Sequence, residues 1–158
     1  VKGLTQYNID FLTVNGDPQV VSAAAQGKKT TDTKILAVTF LTSLDREDLN
    51  KNLIKEGSIN ELVLERSIKA FEAGADGVIA SPHEAQMIKG LSEAQGKLIV
   101  TPGIRPLGFN SKDQKRVMTP DAALANGADH IVIGRPVIKA KNPHLEIKKI
   151  LETIETIK

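Results

Sequence analysis

Two short segments of the chain each place an arginine within two residues of a glycine, directly after a run of apolar residues. Residues 99–105 read IVTPGIR, and residues 130–136 read HIVIGRP. Glycine has no side chain to keep an anion away from its backbone N–H group, and a guanidinium offers a planar fork of donors to a phosphate. Gly103, Arg105, Gly134 and Arg135 therefore predict a phosphate-binding site.

The segment between these elements, PLGFNSKDQKR (106–116), is long, polar and rich in Gly, Asn and Ser. Such a composition is typical of a mobile loop that closes over a ligand, and Gln114 within it can reach a phosphate or a base edge. The alternative is that the two glycines only make tight turns and that the nearby arginines and lysines are solvated surface charges. Two such elements on consecutive predicted strands favour phosphate binding.

Five short apolar runs rich in Val and Ile predict buried parallel strands. They are residues 9–14, 34–40, 76–80, 97–101 and 130–134. Amphipathic segments between them predict helices, the clearest being SINELVLERSIKAFEAG (58–74). Further helices are expected after Ser81, after Thr119 and from Pro143 to the end of the chain.

The joins between helices and strands repeat, because EAGADGVI (72–79) and ANGADHIVI (125–133) share the order glycine, alanine, aspartate, strand. YNIDFLTV (7–14) echoes it, with Asn8 at the glycine position. Gly or Asn suits a left-handed helix cap. The repeat predicts one α/β domain, 1–158, of about five parallel βα units, either an open sheet or an incomplete (β/α)8 barrel.

Composition excludes several classes of function. The 158 residues hold no cysteine, and His83, His130 and His144 are not spaced as ligands, so no metal site is expected. A net charge of +2 with four Phe, one Tyr and no Trp does not fit nucleic-acid binding. No apolar stretch is long enough for a membrane helix and no signal peptide is apparent, so a cytoplasmic protein is expected.

VTPGIRPLGFNSKDQKRVMTP (100–120) and NGADHIVIGRPV (126–137) together closely resemble the signature of the orotidine 5′-phosphate decarboxylase family, which makes UMP in pyrimidine synthesis. FLTVN (11–15), AVTFLTS (37–43) and ADGVIASPHEA (75–85) match the family in the same order. The resemblance implies a (β/α)8 TIM barrel without a cofactor. The substrate phosphate would be held by Arg135, the Gly134 backbone and Gln114, with Arg105 nearby.

The same resemblance implies that Thr42 and Ser81 contact the ribose and pyrimidine part of the ligand. Turn or helix capping is the alternative for both residues, and His83 is expected at the surface. Members of the family carry their catalytic group on the third strand, as Asp-x-Lys-x-x-Asp. Here Asp32 and Lys34 fill the first two positions by coincidence, because Ala37 stands at the third.

No catalytic residue is therefore assigned, and the chain is expected to be a C-terminal portion lacking the first three βα units and inactive alone. A second departure is Asn15, where the family usually has histidine. Two alternatives stay open: a non-catalytic protein that binds phosphate or nucleotide monophosphates, and another phosphate-handling barrel enzyme such as an isomerase or aldolase. The open sheet predicts self-association, a rearranged fold, or completion by a separate N-terminal piece.

Overall fold

A single parallel sheet of five strands organises the molecule, in the computed structural model that describes residues 1–28, 31–51, 54–109 and 116–155. The strands, in sheet order, are β1 (Phe11–Asn15), β2 (Lys34–Val38), β3 (Gly77–Ile79), β4 (Leu98–Thr101) and β5 (His130–Ile131). Each of the five predicted strands is present and shorter than predicted, and β1 ends one residue later than predicted, at Asn15. Because strand order follows chain order, the sheet winds in one direction, as in a (β/α)8 barrel and unlike a doubly wound sheet. The expectation of an incomplete barrel of parallel units is confirmed.

Helices follow every strand of the described chain. They are α1 (Pro18–Gly27), α2 (Arg46–Lys51), α3 (Ile59–Glu72), α4 (Ala85–Lys89), α5 (Pro120–Ala125), α6 (Arg135–Ile138) and α7 (Pro143–Glu155), with 3-10 turns at Lys2–Tyr7 and Ser92–Ala94. The predicted surface helix is α3, which begins with a capping box: Ser58 Oγ accepts from Glu61 N at 3.2 Å and the Glu61 carboxylate accepts from Ser58 N at 2.8 Å.

The helix expected directly after Ser81 begins later, at Ala85. Residues 82–84 form a tight turn, in which Glu84 N donates to Ser81 O at 3.1 Å and Ala85 N donates to Pro82 O at 3.4 Å. These three-residue spacings satisfy the backbone before the α-helical spacing starts.

The hydrophobic core lies between the sheet and the helices. Val78 and Ile99 of the central strands are fully buried against Val63, Phe71 and Ile88 of α3 and α4. The continuous apolar runs seen in the sequence are therefore strands with one helix-covered face, whereas such runs predict cover on both faces. No helix within the described ranges combines the length and apolar character needed to cross a bilayer.

The sheet is strongly curved. Phe11 of β1 and His130 of β5 meet edge to face, with ring centroids 5.3 Å apart, although three strands lie between them. Two side chains from the outer strands can touch in this way only across the concave face of the sheet. Phe11 is nevertheless 42% exposed, so the concave face, which is the interior in a closed barrel, is open to solvent here.

The repeated joins have the left-handed caps that the sequence predicts. The backbone φ angles are +97° at Gly74, +98° at Gly127 and +50° at Asn8. Gly74 and Gly127 each directly follow the last residues of a helix, where this conformation ends the helix and glycine adopts it without a steric penalty.

The aspartates of the two closest repeats connect neighbouring strands. Asp76 Oδ2 accepts from Ile35 N of β2 at 2.7 Å, and Asp129 Oδ2 accepts from Ile99 N of β4 at 2.8 Å. Each carboxylate therefore satisfies a backbone donor at the start of the preceding strand. Each also forms an ion pair with a lysine, Lys28 and Lys89 respectively.

Candidate functional site

Arg105 follows β4 and is buried, with 7% of its surface exposed. Its Nη1 donates to Ile104 O at 2.8 Å and its guanidinium lies 5.7 Å from the Phe109 ring centroid, but its buried Nε makes no hydrogen bond within the described chain. Desolvation, and secondly the positive charge of Arg135, lower the pKa of Arg105. The alternative of a solvated surface charge is therefore wrong for Arg105.

Gly134 and Arg135 follow β5, the strand next to β4 in the sheet, and begin the short helix α6. A Cβ built on Gly134 would meet no atom within 4 Å, and its φ of −101° is not one that demands glycine. Nothing in the described chain therefore excludes a side chain there, and the open space beside the Gly134 backbone can take a ligand. The positive charge of Arg135 contributes to the lowered pKa of Arg105, so the two charges interact at the ends of the neighbouring strands β4 and β5.

Thr42 and Ser81 follow the neighbouring strands β2 and β3, and both are buried, at 7% and 2% exposure. Ser81 Oγ accepts from His83 N at 3.4 Å, a long contact of the kind expected from a capping residue. His83 itself is exposed, as predicted. The carboxyl ends of adjacent parallel strands lie at one edge of a sheet, so these two hydroxyls share an edge with the arginine elements.

Gln114 lies outside the described residues, as does most of the polar segment in which it occurs. The two ends of this segment are described. Arg105 N donates to Met118 O at 2.9 Å, Met118 N donates to Gly103 O at 3.4 Å, and Ile104 and Met118 form an isolated parallel bridge. The described flanks of this segment therefore pair with each other directly beside Arg105.

The coincidental match to a catalytic motif, Asp32 and Lys34, lies at the amino end of β2, whereas this site lies at the carboxyl ends of the strands. Lys34 opens β2 and Asp32 precedes it, and both side chains are exposed. Asn15 lies at the carboxyl end of β1, where its Oδ1 accepts from Asp17 N at 3.0 Å. Asn15 thus caps the turn into α1, which is a structural role for a residue whose function the sequence left open.

One ion pair near the site could not be inferred from any sequence pattern. Glu84, three residues after Ser81, is fully buried and pairs with Arg116. The partners are 32 residues apart, and no local pattern links them. Among the described residues, no cluster of three His, Cys, Asp or Glu side chains could hold a metal ion.

A cavity of about 380 Å³ opens beside the carboxyl end of β1, lined by Asn15, Phe40 and Arg66 among others. The Arg66 guanidinium lies 4.2 Å from the Phe40 ring centroid and donates to Thr39 O at 2.8 Å. None of the predicted ligand-binding residues lines this cavity. The candidate site is instead the open edge formed by the ends of β2 to β5.

Comparison with known proteins gives one consistent result. A sequence model described as the "Orotidine 5'-phosphate decarboxylase / HUMPS family" matches residues 1–150. Orotidine 5′-phosphate decarboxylase of Jannaschia sp. is 60% identical over 151 residues, which cover 96% of this chain and 66% of the relative. That of Ruegeria pomeroyi is 61% identical over 151 residues, covering 96% of this chain and 63% of the relative.

Among solved structures, orotidine 5′-phosphate decarboxylase from Lactobacillus acidophilus matches with a TM-score of 0.79 and 32% sequence identity. The alignment covers 97% of this chain and 66% of that one. The chain thus spans slightly less than two thirds of the length of these relatives.

Proposed function

Because the chain belongs to the orotidine 5′-phosphate decarboxylase / HUMPS family, we propose that it takes part in converting orotidine 5′-phosphate to UMP and CO2. Its contribution is to bind the phosphate and part of the nucleoside. The 60% sequence identity to a decarboxylase supports this reaction over those of other phosphate-handling barrels. The cytoplasmic location expected from the sequence stays a prediction.

The observation that supports phosphate binding best is the buried, incompletely hydrogen-bonded guanidinium of Arg105 beside the charge of Arg135. Two like charges held close together in a partly desolvated place are unfavourable on their own. A dianionic phosphate bound here would compensate the buried charge of Arg105 and accept a hydrogen bond from its Nε–H. The neighbouring Gly134 leaves space for the phosphate to reach its backbone N–H.

The other end of the ligand would lie toward the ends of β2 and β3. We assign Thr42 to the ribose side and Ser81 to the pyrimidine ring, following the resemblance of AVTFLTS and ASPHEA to the family. Both hydroxyls are buried at the carboxyl ends of neighbouring strands, where the ligands of parallel βα folds lie. Gln114 is assigned to the phosphate by the same resemblance.

Phosphate binding matters for this reaction because the chemistry occurs far from the phosphate. Decarboxylation leaves a carbanion at C6 of the ring, and a remote phosphate contact can supply the binding energy that offsets strain and desolvation at the reacting end. The resemblance implies that a lysine fixed among carboxylates stabilises and protonates this carbanion. The present 158 residues contain no Asp-x-Lys-x-x-Asp sequence, so we predict that they are inactive alone.

Loss of orotidine 5′-phosphate absorbance in the ultraviolet tests the proposal. The purified chain should cause no loss. A mixture with a polypeptide that carries the Asp-x-Lys-x-x-Asp segment implied by the resemblance should restore turnover. The same polypeptide with its motif lysine changed to alanine is the matched control. Turnover by the chain alone would overturn the prediction of inactivity, and no turnover in the mixture would count against the assigned reaction.

A further inference from the structure

Glu84 is the buried carboxylate nearest in sequence to the proposed ring-binding residue Ser81. Its side chain has no exposed surface, and its backbone is fixed on both sides: Glu84 N donates to Ser81 O at 3.1 Å, and Glu84 O accepts from Ile88 N at 3.0 Å. The Glu84 backbone therefore belongs to the turn that places Ser81, and its carboxylate is buried beside that turn.

Arg116 compensates this buried carboxylate. Arg116 Nη2 forms an ion pair with Glu84 Oε1, and the arginine side chain is only 17% exposed. Within the described chain, the Glu84 oxygens make no hydrogen bond apart from this contact. A buried carboxylate without its cation strongly destabilises the fold, and so does a buried cation without its carboxylate. Each partner therefore holds the other in position.

Arg116 lies two residues before Met118, whose carbonyl accepts from Arg105 N at 2.9 Å. Met118 N in turn donates to Gly103 O, and Met118 pairs with Ile104 in the isolated bridge. A continuous path of contacts thus runs from the Ser81 turn through Glu84, Arg116 and Met118 to the backbone of Arg105. It links the ends of β3 and β4.

We propose that Glu84 and Arg116 are positioning residues that hold the pyrimidine-binding turn and the phosphate-binding arginine at a fixed separation. Neither side chain touches the ligand. A nucleoside monophosphate carries its ring and its phosphate at a set spacing, so a site that keeps Ser81 and Arg105 in register is organised before the ligand arrives. This inference rests on the proposed function for its ligand, but the contacts themselves can be tested without one.

The ligand-free test is hydrogen exchange, measured by mass spectrometry on peptides that contain the amides of Arg105 and Met118. Glu84→Gln keeps the shape of the side chain and removes its charge, so we expect these amides to exchange about tenfold faster or more. Asp129→Asn is the matched control. Asp129 also forms an ion pair and accepts from a backbone amide of the same sheet, and this substitution removes its charge. Equal exchange rates of the Arg105 and Met118 amides in the two variants would show that the Glu84–Arg116 ion pair does not hold this bridge in place.

A second comparison separates pairing from simple destabilisation. If the two residues act as a pair, Glu84→Gln together with Arg116→Gln should accelerate exchange less than the sum of the single changes, because no uncompensated charge is left buried. Additive effects would contradict a paired role.

Titration with UMP then tests positioning. In conditions where each variant is folded by circular dichroism, Glu84→Gln should weaken UMP binding by about fivefold or more, whereas Asp129→Asn should bind as the unchanged chain does. Faster exchange with unchanged UMP affinity would overturn the positioning role. If the unchanged chain does not bind UMP, the proposed function is wrong and the positioning role is wrong with it. The exchange rates would still show whether Glu84 stabilises the bridge between Ile104 and Met118.

Discussion

Arg105 is the residue whose surroundings differ most from those of an ordinary surface arginine. A structural arginine in this chain, Arg46, donates to Asn50 Oδ1 at 2.9 Å, to Gly57 O at 3.2 Å and to Ile54 O at 3.1 Å. Arg105 is more buried, yet its Nε makes no hydrogen bond to any described residue, and the like charge of Arg135 lowers its pKa. Such an arrangement destabilises the ligand-free protein, and a bound anion at this place would explain it.

Replacing Arg105 by methionine should therefore separate stability from binding. We expect Arg105→Met to change the free energy of unfolding by no more than about 1 kcal/mol, or to raise it, because a desolvated charge is removed. The same variant should bind phosphate about tenfold more weakly or worse. Denaturant unfolding and phosphate titration measure the two quantities.

Arg46→Met is the matched control for that prediction and should behave in the opposite way, with lower stability and unchanged phosphate affinity. Arg105→Met would contradict the account if it lost stability as Arg46→Met does and bound phosphate like the unchanged chain.

Sequence alone could predict those site residues whose chemistry is local. The glycines and arginines were found because they directly follow apolar runs, and parallel strands bring such positions to one edge. Glu84 could not be found in this way. Its place beside a proline and before an amphipathic segment fits a surface helix equally well, and only the approach of Arg116 from a distant part of the chain decides that it is buried.

The joins between elements were predicted in conformation but not in their contacts. Left-handed caps at Gly74 and Gly127 follow from residue type. The reach of Asp76 to Ile35 N and of Asp129 to Ile99 N depends on which strands are neighbours, so it needed the sheet order. At the amino ends of barrel strands such residues support stability and not catalysis.

Removal of either carboxylate should weaken the sheet. Asp76→Ala and Asp129→Ala should each lower the free energy of unfolding by about 1–3 kcal/mol, because a hydrogen bond from a backbone amide to a charged group is lost. Chemical denaturation monitored by circular dichroism measures this. Asp32→Ala, at an exposed position before β2, is the control and should be close to neutral; an equal loss there would refute the role given to the joins.

Helix α3 offers a pH-dependent test on its outer surface. Glu65 pairs with Lys55 and Lys69, and hydrogen bonds to these two lysines lower the pKa of Glu65 from 4.5 to about 2. A carboxylate with a lowered pKa stabilises the fold above its unfolded pKa and loses that contribution as the pH falls through its folded value.

Glu65→Gln should therefore be less stable than the unchanged chain near pH 7, and the difference should shrink between pH 4.5 and about pH 2. Since the pair is exposed, added salt should reduce the difference as well. Thermal unfolding across this pH range measures it. A difference that stayed constant down to pH 2 would show that the lysines do not act through the Glu65 charge.

The whole molecule has an open, strongly curved sheet. Among the described residues, β1 and β5 each have one neighbouring strand, and the contact between Phe11 and His130 shows that these two side chains lie on the concave face of the sheet. Unpaired strand edges and exposed apolar side chains favour pairing with another chain. The expected self-association or completion by a separate N-terminal piece therefore remains the prediction at this scale.

Light scattering during size exclusion should give a mass above the 17.0 kDa of one chain. Thr13→Lys puts a charge on the exposed edge strand β1 and should shift the population toward the monomer, whereas Gln95→Lys, which adds the same charge on an exposed loop, should not. A monomer at every concentration tested would contradict self-association.

The most direct measurement of the central claim is calorimetric titration of UMP into the chain, into Arg135→Ala and into Lys139→Ala. Lys139 is an exposed cation directly after α6, so its variant controls for the general loss of one positive charge. The account predicts that the unchanged chain binds UMP, that Arg135→Ala binds about tenfold to a hundredfold more weakly, and that Lys139→Ala is nearly unchanged. Equal UMP affinity of Arg135→Ala and the unchanged chain would contradict it.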